Sequence, residues 1–225
     1  MKLFEKQLWH LLSLGLLLFV VVTIVQADEQ MLIGNFWNVG TKTWLLWAVL
    51  IPIIHQVYVL IIWRIELYYK WLSKNIGKYA FRFYLIDFVI LFMARIVFII
   101  FLAESNKNTF MLNASIKNAL IIVISLIALY AFYSVIRFFG IDRAAGLDHF
   151  EHEEKRPLVK KGIFKYTRNG MYTFAFLAIY LPALFYLSRA ALLVAVFSHL
   201  YIWIHYFFTE LPDMKRIYGP SIKTD

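Results

Sequence analysis

The sequence contains no cysteine among its 225 residues, and only 16% of its residues are charged. The absence of cysteine excludes disulfides, thiolate metal sites and cysteine nucleophiles. A water-soluble domain of this length has about a quarter of its residues charged. Because 62% of the residues here are hydrophobic, the shortage of charge excludes an ordinary soluble domain. The sequence also lacks internal repeats and low-complexity segments.

Long apolar runs take the place of the missing charge, and several are long enough to cross a hydrocarbon layer of about 30 Å. They predict six transmembrane helices, at residues 8–26, 44–63, 83–103, 118–139, 170–187 and 190–208. The first run is too long for a signal-peptide core, and no cleavage site follows it, so we expect it to be retained. The predicted fold is all-α, a polytopic membrane protein of about six transmembrane helices with a C-terminal helical hairpin.

Polar residues inside the predicted helices are candidates for a site, because an ionisable group costs several kcal/mol in a membrane unless it is paired or hydrated. Pro52 predicts a kink close to His55 and Gln56. Asp87 and Arg95 lie in the third helix. They form either a structural link or a pocket for a lipid headgroup, in which Asp87 faces an ammonium and Arg95 a phosphate. Residues 64–82 are predicted to form a basic loop or an interfacial helix.

The net charge of +9 is concentrated in alternate loops. Of the 23 lysines and arginines, 17 fall on one side of the predicted topology and four on the other. Basic loops facing an anionic membrane surface explain this charge better than a nucleic-acid partner does. The asymmetry predicts that both termini are cytoplasmic, in either a bacterial inner membrane or the endoplasmic reticulum.

Two polar stretches interrupt the C-terminal apolar runs, at residues 156–172 and 209–219. The tight turn of the predicted hairpin brings both stretches to one membrane face, and we expect them to form the reactive site. An acidic cluster precedes the first stretch, and it consists of Asp148, His149, His152, Glu153 and Glu154. These residue types can bind metals, but nothing fixes their geometry, so we predict a solvated loop and no metal site.

The first stretch matches the pattern L-V-x-x-G-x-[YF]-x-[YF]-x-R-[HN]-P-x-Y. The matching residues are Leu158, Val159, Gly162, Phe164, Tyr166, Arg168, Asn169 and Tyr172, and Met171 adds the N-x-M-Y form. The second stretch supplies Glu210, Pro212, Asp213, Ile217, Tyr218 and Gly219. Together they resemble the integral-membrane methyltransferases of the isoprenylcysteine carboxyl methyltransferase and phospholipid N-methyltransferase superfamily. Two positions depart from the pattern: Gly170 replaces the proline, and Glu210 stands alone where an acidic pair is usual.

The resemblance implies S-adenosylmethionine as cofactor, bound on the cytoplasmic side between the two stretches, and a lipid-like acceptor that enters from the bilayer. The implied cofactor-binding residues are Leu158, Val159, Gly162, Phe164, Tyr166, Arg168, Asn169, Met171, Tyr172, His205 and Glu210. Arg168 would hold the cofactor carboxylate and Glu210 its ammonium. Residues 140–225 would form the cofactor-binding part, and residues 1–139 a four-helix region with a possible acceptor site.

An amine acceptor must lose its proton before it attacks the methyl group, and Glu210, His149 and Asp148 are the candidate bases. We therefore expect N-methylation of phosphatidylethanolamine or its methylated products. Carboxyl or thiol methylation of another lipid-like acceptor is the first alternative. An NADPH-dependent enzyme of the sterol-reductase type and a non-enzymatic lipid-binding protein are the other two.

Overall fold

The computed structural model describes residues 2–151 and 157–219, and helices make up nearly all of the described chain. The α-helices are α1 (Gln7–Ala27), α2 (Thr41–Tyr69), α3 (Trp71–Ile76), α4 (Ala80–Ser105), α5 (Ala114–Ser134), α6 (Ile141–Ala144), α7 (Gly170–Thr173), α8 (Leu181–Tyr186), α9 (Arg189–His205) and α10 (Leu211–Tyr218). A two-residue antiparallel ladder pairs β1 (Asn35–Phe36) with β2 (Val39–Gly40). The predicted all-α polytopic fold is confirmed.

Five segments are long and apolar enough to cross a membrane, and they contain α1, α2, α4, α5 and α9. The predicted fifth span differs from the others, because residues 170–186 divide into α7, a 3₁₀ helix (Ala175–Tyr180) and α8. This segment is apolar but shorter than the rest. Leu187 then adopts a left-handed conformation, and Ser188 caps α9 by accepting a hydrogen bond from the Ala191 amide at 3.1 Å. The expected tight hairpin is therefore present.

The helices alternate in direction, so both described ends of the chain lie at one face of the bundle. Arg216, in α10, forms an ion pair with Glu5, immediately before α1. We refer to this face as the site face, since it also holds the two polar stretches. A core of small and aromatic side chains from α1, α2, α4 and α9 lies behind it and includes Ala48, Ala195 and Tyr201.

The opposite face is held together by the side chain of Asn106, which is 1% exposed. Its amide donates hydrogen bonds to the carbonyls of Gln30 and Ile33 at 2.8 and 3.0 Å. Its oxygen accepts from the Ser188 hydroxyl at 3.1 Å and from the Ala190 amide at 3.0 Å. The Asn106 side chain thus links its own loop after α4 to the loop between α1 and α2 and to the turn between α8 and α9. It fixes these helices at the ends opposite the site.

Residues 64–82 are predicted to form a basic loop or an interfacial helix, but the first six of them continue helix α2. Helix α2 continues to Tyr69, and Arg64 is 1% exposed. The arginine can be buried there because its guanidinium donates to the carbonyls of Leu3 and Glu5 at 2.7 and 2.9 Å and contacts the Asp213 carboxylate at 3.4 Å. A paired and hydrogen-bonded charge is tolerated in an apolar interior, so the helix does not have to end at the first charge.

Candidate active site

The first polar stretch is fixed against α5 by a glycine. Gly162 has φ of +59°, and a Cβ atom at this position would lie 2.5 Å from the Ser134 hydroxyl and 2.8 Å from Phe138. The same hydroxyl accepts a hydrogen bond from the Ile163 amide at 3.1 Å. Gly162, predicted as a cofactor-binding residue, therefore makes its close backbone approach to the end of the α5 helix.

Gly170, which replaces the proline of the motif, also lies in close packing. A Cβ atom there would be 2.7 Å from Cγ2 of Ile163. Helix α7 begins at this glycine, and the preceding Asn169 provides the carbonyl that accepts from the Thr173 amide at 2.9 Å. Gly170 thus keeps the helix start that the motif requires while it allows the two parts of the stretch to pack closely.

The second polar stretch begins in a segment of π-helix, Tyr206–Glu210, which joins α9 to α10. Such wide turns leave main-chain carbonyls free for other partners and often occur at functional sites. The Phe208 carbonyl accepts from Gln7 Nε2 at 3.0 Å and from Arg64 at 3.3 Å. Pro212 is the second residue of α10, and because it has no amide proton it cannot donate to the Phe208 carbonyl four residues earlier. Glu210 is the last residue of the π segment, so these contacts set its position.

A hydrogen bond joins the two stretches. The Tyr172 hydroxyl donates to the Glu210 carboxylate across 38 residues of sequence. The main chain at Tyr172 is held in turn by His199, whose Nε2 donates to the Tyr172 carbonyl at 3.0 Å. Because Nε2 carries that proton, Nδ1 of the neutral ring accepts from the Tyr180 hydroxyl at 3.2 Å. The two stretches meet at the site face, as the sequence predicts.

An outer cavity of about 310 Å³ lies against the first stretch. Its walls contain the predicted residues Leu158, Val159, Phe164, Tyr166 and Arg168, with Phe139, Lys160, Lys165 and Thr167. The ring of Phe164 stacks on Phe139 at a centroid distance of 5.0 Å. Three cationic side chains and several rings therefore surround one space, which suits a ligand that carries both a carboxylate and a flat aromatic group.

A second, inner cavity has a volume of about 90 Å³. The predicted residues Met171, Tyr172 and His205 line it. So do polar residues from helices that precede the motifs, namely His55, Gln56 and Arg95. The predicted site residues are thus divided between two cavities: residues of the first stretch before Asn169 line the outer one, and Met171, Tyr172 and His205 line the inner one. Glu210 lines neither cavity, but it accepts the hydrogen bond from Tyr172.

None of the three candidate bases lines either cavity, but only Glu210 is hydrogen-bonded to a cavity-lining residue among the described contacts, Tyr172. His149 is fully buried, and its ring stacks on Trp63 at a centroid distance of 4.1 Å. Burial lowers the pKa of His149 to about 3, so the ring is neutral; Nδ1 donates to the Gly146 carbonyl, and Nε2 lies 3.8 Å from the Asp213 carboxylate. Asp148 pairs with Arg143 at 3.0 Å. Both side chains are therefore placed to support the site, and neither is placed to contact an acceptor.

Sequence reasoning missed two arginines that hold the site in place. Arg64, in α2, binds the second stretch through Asp213. Arg143 connects Asp148 to the Tyr218 hydroxyl at 3.0 Å and donates to the Pro157 carbonyl at 2.9 Å. A sequence pattern does not distinguish a buried basic residue from a solvated one in a polar segment. The acidic residues predicted at 152–154 lie outside the described residues.

Asp87 and Arg95 do not form one pocket. Asp87 is exposed and accepts a hydrogen bond from the Tyr58 hydroxyl at 3.0 Å. Arg95 is buried in the inner cavity, with its guanidinium 5.2 Å from the ring centroid of Phe176. The two residues are eight positions apart on a helix of 3.6 residues per turn, so their side chains point in different directions.

Comparison with known proteins gives one result that bears on this geometry. Residues 116–221 match the family model described as phospholipid methyltransferase. No curated protein and no solved structure matches the chain significantly. The matched region contains both polar stretches and the helices that hold them, so the resemblance drawn from the motifs is confirmed. The match over residues 116–221 supports the resemblance of this chain to the integral-membrane methyltransferase superfamily of the phosphatidylethanolamine N-methyltransferase and isoprenylcysteine carboxyl methyltransferase type.

Proposed function

We propose that this membrane methyltransferase uses S-adenosylmethionine to N-methylate a phospholipid headgroup, phosphatidylethanolamine or one of its methylated products. The observation that carries the proposal is the hydrogen bond from Tyr172 to Glu210. It attaches a carboxylate to Tyr172, which lines an inner cavity enclosed by the membrane helices, and the stretch that carries Tyr172 also lines the cationic, aromatic outer cavity. A methyl donor and a lipid amine would each have a compartment, with the base beside the inner one.

The outer cavity fits the cofactor in size and in chemistry. Its volume of about 310 Å³ is at the lower end of the range for small-molecule sites, which begins at about 300 Å³. Lys160, Lys165 and Arg168 would bind the carboxylate, and the rings of Phe164 and Tyr166 would pack on the adenine or near the sulfonium. When bound, the cofactor supplies an electrophilic methyl group on a positively charged sulfur.

The residues of the chain would align the two reactants and accept a proton. A lipid amine is mostly protonated at neutral pH and has no free lone pair in that form. Glu210 would take the proton, and the hydrogen bond from Tyr172 would hold its carboxylate in one orientation while the amine attacks. The rings around Tyr172, which include the half-buried Trp203 and Tyr206, would help to exclude water from the reaction. Within this scheme residues 140–225 bind the cofactor and residues 1–139 help to bind the acceptor.

The experiment that tests the proposal is a lipid extraction from cells that contain phosphatidylethanolamine but none of its methylated forms. Expression of the chain should yield mono-, di- or trimethylated phosphatidylethanolamine. Glu210→Ala should abolish these products. Glu104→Ala, which changes a carboxylate near the opposite face that pairs only with Lys107, should not. Undiminished product with Glu210→Ala would contradict the role given to this residue.

Calorimetry on the purified protein separates the enzyme classes. Heat of binding with S-adenosylmethionine and none with NADPH is the expected result. Binding of NADPH would favour a reductase, and binding of neither would favour a lipid-binding protein without catalysis. Methylation of a carboxyl or thiol acceptor in place of the amine would show up as methylated lipid of a different class in the same extracts.

We further propose that the site face is cytoplasmic, because 17 of the 23 lysines and arginines fall on this side of the topology predicted from the sequence. The chain has no cysteine, so single cysteines report their side without interference. A membrane-impermeant maleimide should label Lys42→Cys in intact cells, and Lys165→Cys only after permeabilisation. The reverse pattern would contradict this orientation.

A further inference from the structure

A positive charge is buried in the membrane part of the bundle without an internal counter-charge. Arg95 is 6% exposed and lies at the middle of α4. Among the described residues, its guanidinium has no carboxylate within ion-pair distance, and Nη2 has no hydrogen-bond partner. Its nearest favourable contact is the ring of Phe176. Buried arginines are usually paired, and an unpaired one in a membrane indicates a functional group.

Two imidazoles that line the same cavity as Arg95 are also buried without hydrogen-bond partners among the described residues. His55 and His205 line the inner cavity with Arg95. Both are at most 3% exposed, and neither ring nitrogen of either residue has a hydrogen-bond partner in the described part of the chain. Each neutral imidazole can donate one hydrogen bond. A cation and two such donors on one cavity wall are the complement of a group with several anionic oxygens.

We propose that the inner cavity binds the phosphodiester of the acceptor lipid, with Arg95 as the cation and His55 and His205 as hydrogen-bond donors. This inference rests on the proposed function, and it adds a determinant of specificity that lies partly outside the family match, since His55 and Arg95 precede residue 116. The phosphate on Arg95 would direct the headgroup amine toward the Tyr172–Glu210 pair.

Two anions could reach this cavity, the phosphate of a lipid and the carboxylate of the methyl donor. The walls favour the lipid. Apolar side chains such as Phe88, Phe92 and Ile202 enclose the inner cavity, which suits a molecule that enters from hydrocarbon. The cationic residues suited to the donor line the outer cavity instead. The experiment below distinguishes the two sources.

Arg95→Gln is the informative variant, assayed in mixed micelles with purified protein. We expect the KM for phosphatidylethanolamine to rise about 10- to 100-fold, which is the loss expected for a charged hydrogen bond, and the KM for S-adenosylmethionine to stay unchanged. Arg95→Lys should recover part of the affinity. An ethanolamine lipid with a neutral linker in place of the phosphate should be used equally by wild type and Arg95→Gln. Arg82→Gln, an exposed arginine on the same helix, is the matched control.

A purely structural arginine would behave differently on heating. Because Arg95 has no internal counter-charge, Arg95→Met should leave the Tm in detergent unchanged or raise it. A phosphate-bearing lysolipid should raise the Tm of wild type but not of Arg95→Gln, and this measurement needs no turnover. A lysolipid shift equal in both proteins, or a KM change confined to the methyl donor, would overturn the inference. Absence of methylated product from wild type, with the lysolipid shift intact, would instead refute the proposed function alone.

Discussion

Tyr172 donates its hydroxyl proton to the Glu210 carboxylate, and this bond joins the two halves of the site. Tyr172 is fixed by His199 through its main chain, and Glu210 ends the π segment that Gln7 and Arg64 hold at Phe208. Glu210, the base of the proposed reaction, is therefore positioned both by Tyr172 and by the contacts that hold the π segment.

This relationship predicts coupled effects on activity. Tyr172→Phe removes a hydrogen bond to a charged group and should lower kcat about 10- to 100-fold. Glu210→Gln should lower it further, by about 10²- to 10⁴-fold if the carboxylate accepts the proton. The double variant should be no worse than Glu210→Gln alone, because the hydroxyl then has no carboxylate to orient. Methylation rates of the four proteins test this, and additive losses would show that the two side chains act independently.

Gly162 provides a test of how the first motif is held. Gly162→Ala should reduce the free energy of unfolding by about 2–4 kcal/mol, because the residue keeps a positive φ and its Cβ meets Ser134. Gly77→Ala is the control: Gly77 has φ of +63° and open space around it, so only the backbone cost of about 1–3 kcal/mol applies. Equal losses in denaturant unfolding of the two variants would show that the contact with α5 contributes nothing.

The polar centre on the opposite face should be important for stability. Asn106→Ala would leave two carbonyls, a hydroxyl and an amide without their partner, and we expect a loss of about 2–4 kcal/mol in the free energy of unfolding. Asn75→Ala, at an exposed position in α3, should change it by less than about 0.5 kcal/mol. A small effect at both positions would mean that water or neighbouring groups replace the lost bonds.

His149 should make the protein sensitive to acid. Its folded pKa of about 3 lies below the ordinary imidazole value of 6.5, so between these values the unfolded chain binds more protons than the folded one. Stability therefore falls as the pH falls through this window, by about 1.4 kcal/mol per pH unit from this group. The Tm should drop between pH 7 and pH 5 more in wild type than in His149→Gln. Parallel losses in the two proteins would exclude His149 as the cause.

The sequence predicts the long membrane-spanning helices of this fold better than it predicts the short broken ones. Apolar runs locate α1, α4, α5 and α9 closely, because the thickness of a membrane sets the length of the helix that crosses it. The run at residues 170–187 gives no such guide, because it divides into α7, a 3₁₀ helix and α8. Its apolar composition does not show where these breaks fall.

The site is predictable to a similar degree. The motifs identify Tyr172 and Glu210, and the hairpin explains why they meet. The inner cavity could not be predicted, because it depends on which faces of α2 and α4 lie against α9, and His55, Arg95 and His205 are far apart in sequence. The burial of Arg64 was missed for the same reason, as its acceptors are carbonyls that precede α1 and end α9.

The contacts of Arg64 with Leu3 and Glu5 use main-chain oxygens only. Any amino acid supplies the same oxygen, so side-chain replacement in this segment leaves these acceptors in place. Deletion of one residue from this segment would shift these carbonyl oxygens along the chain, out of reach of the Arg64 guanidinium. Saturation mutagenesis would therefore rate the segment before α1 as tolerant, although a loss of one residue there would release the helix that carries Glu210.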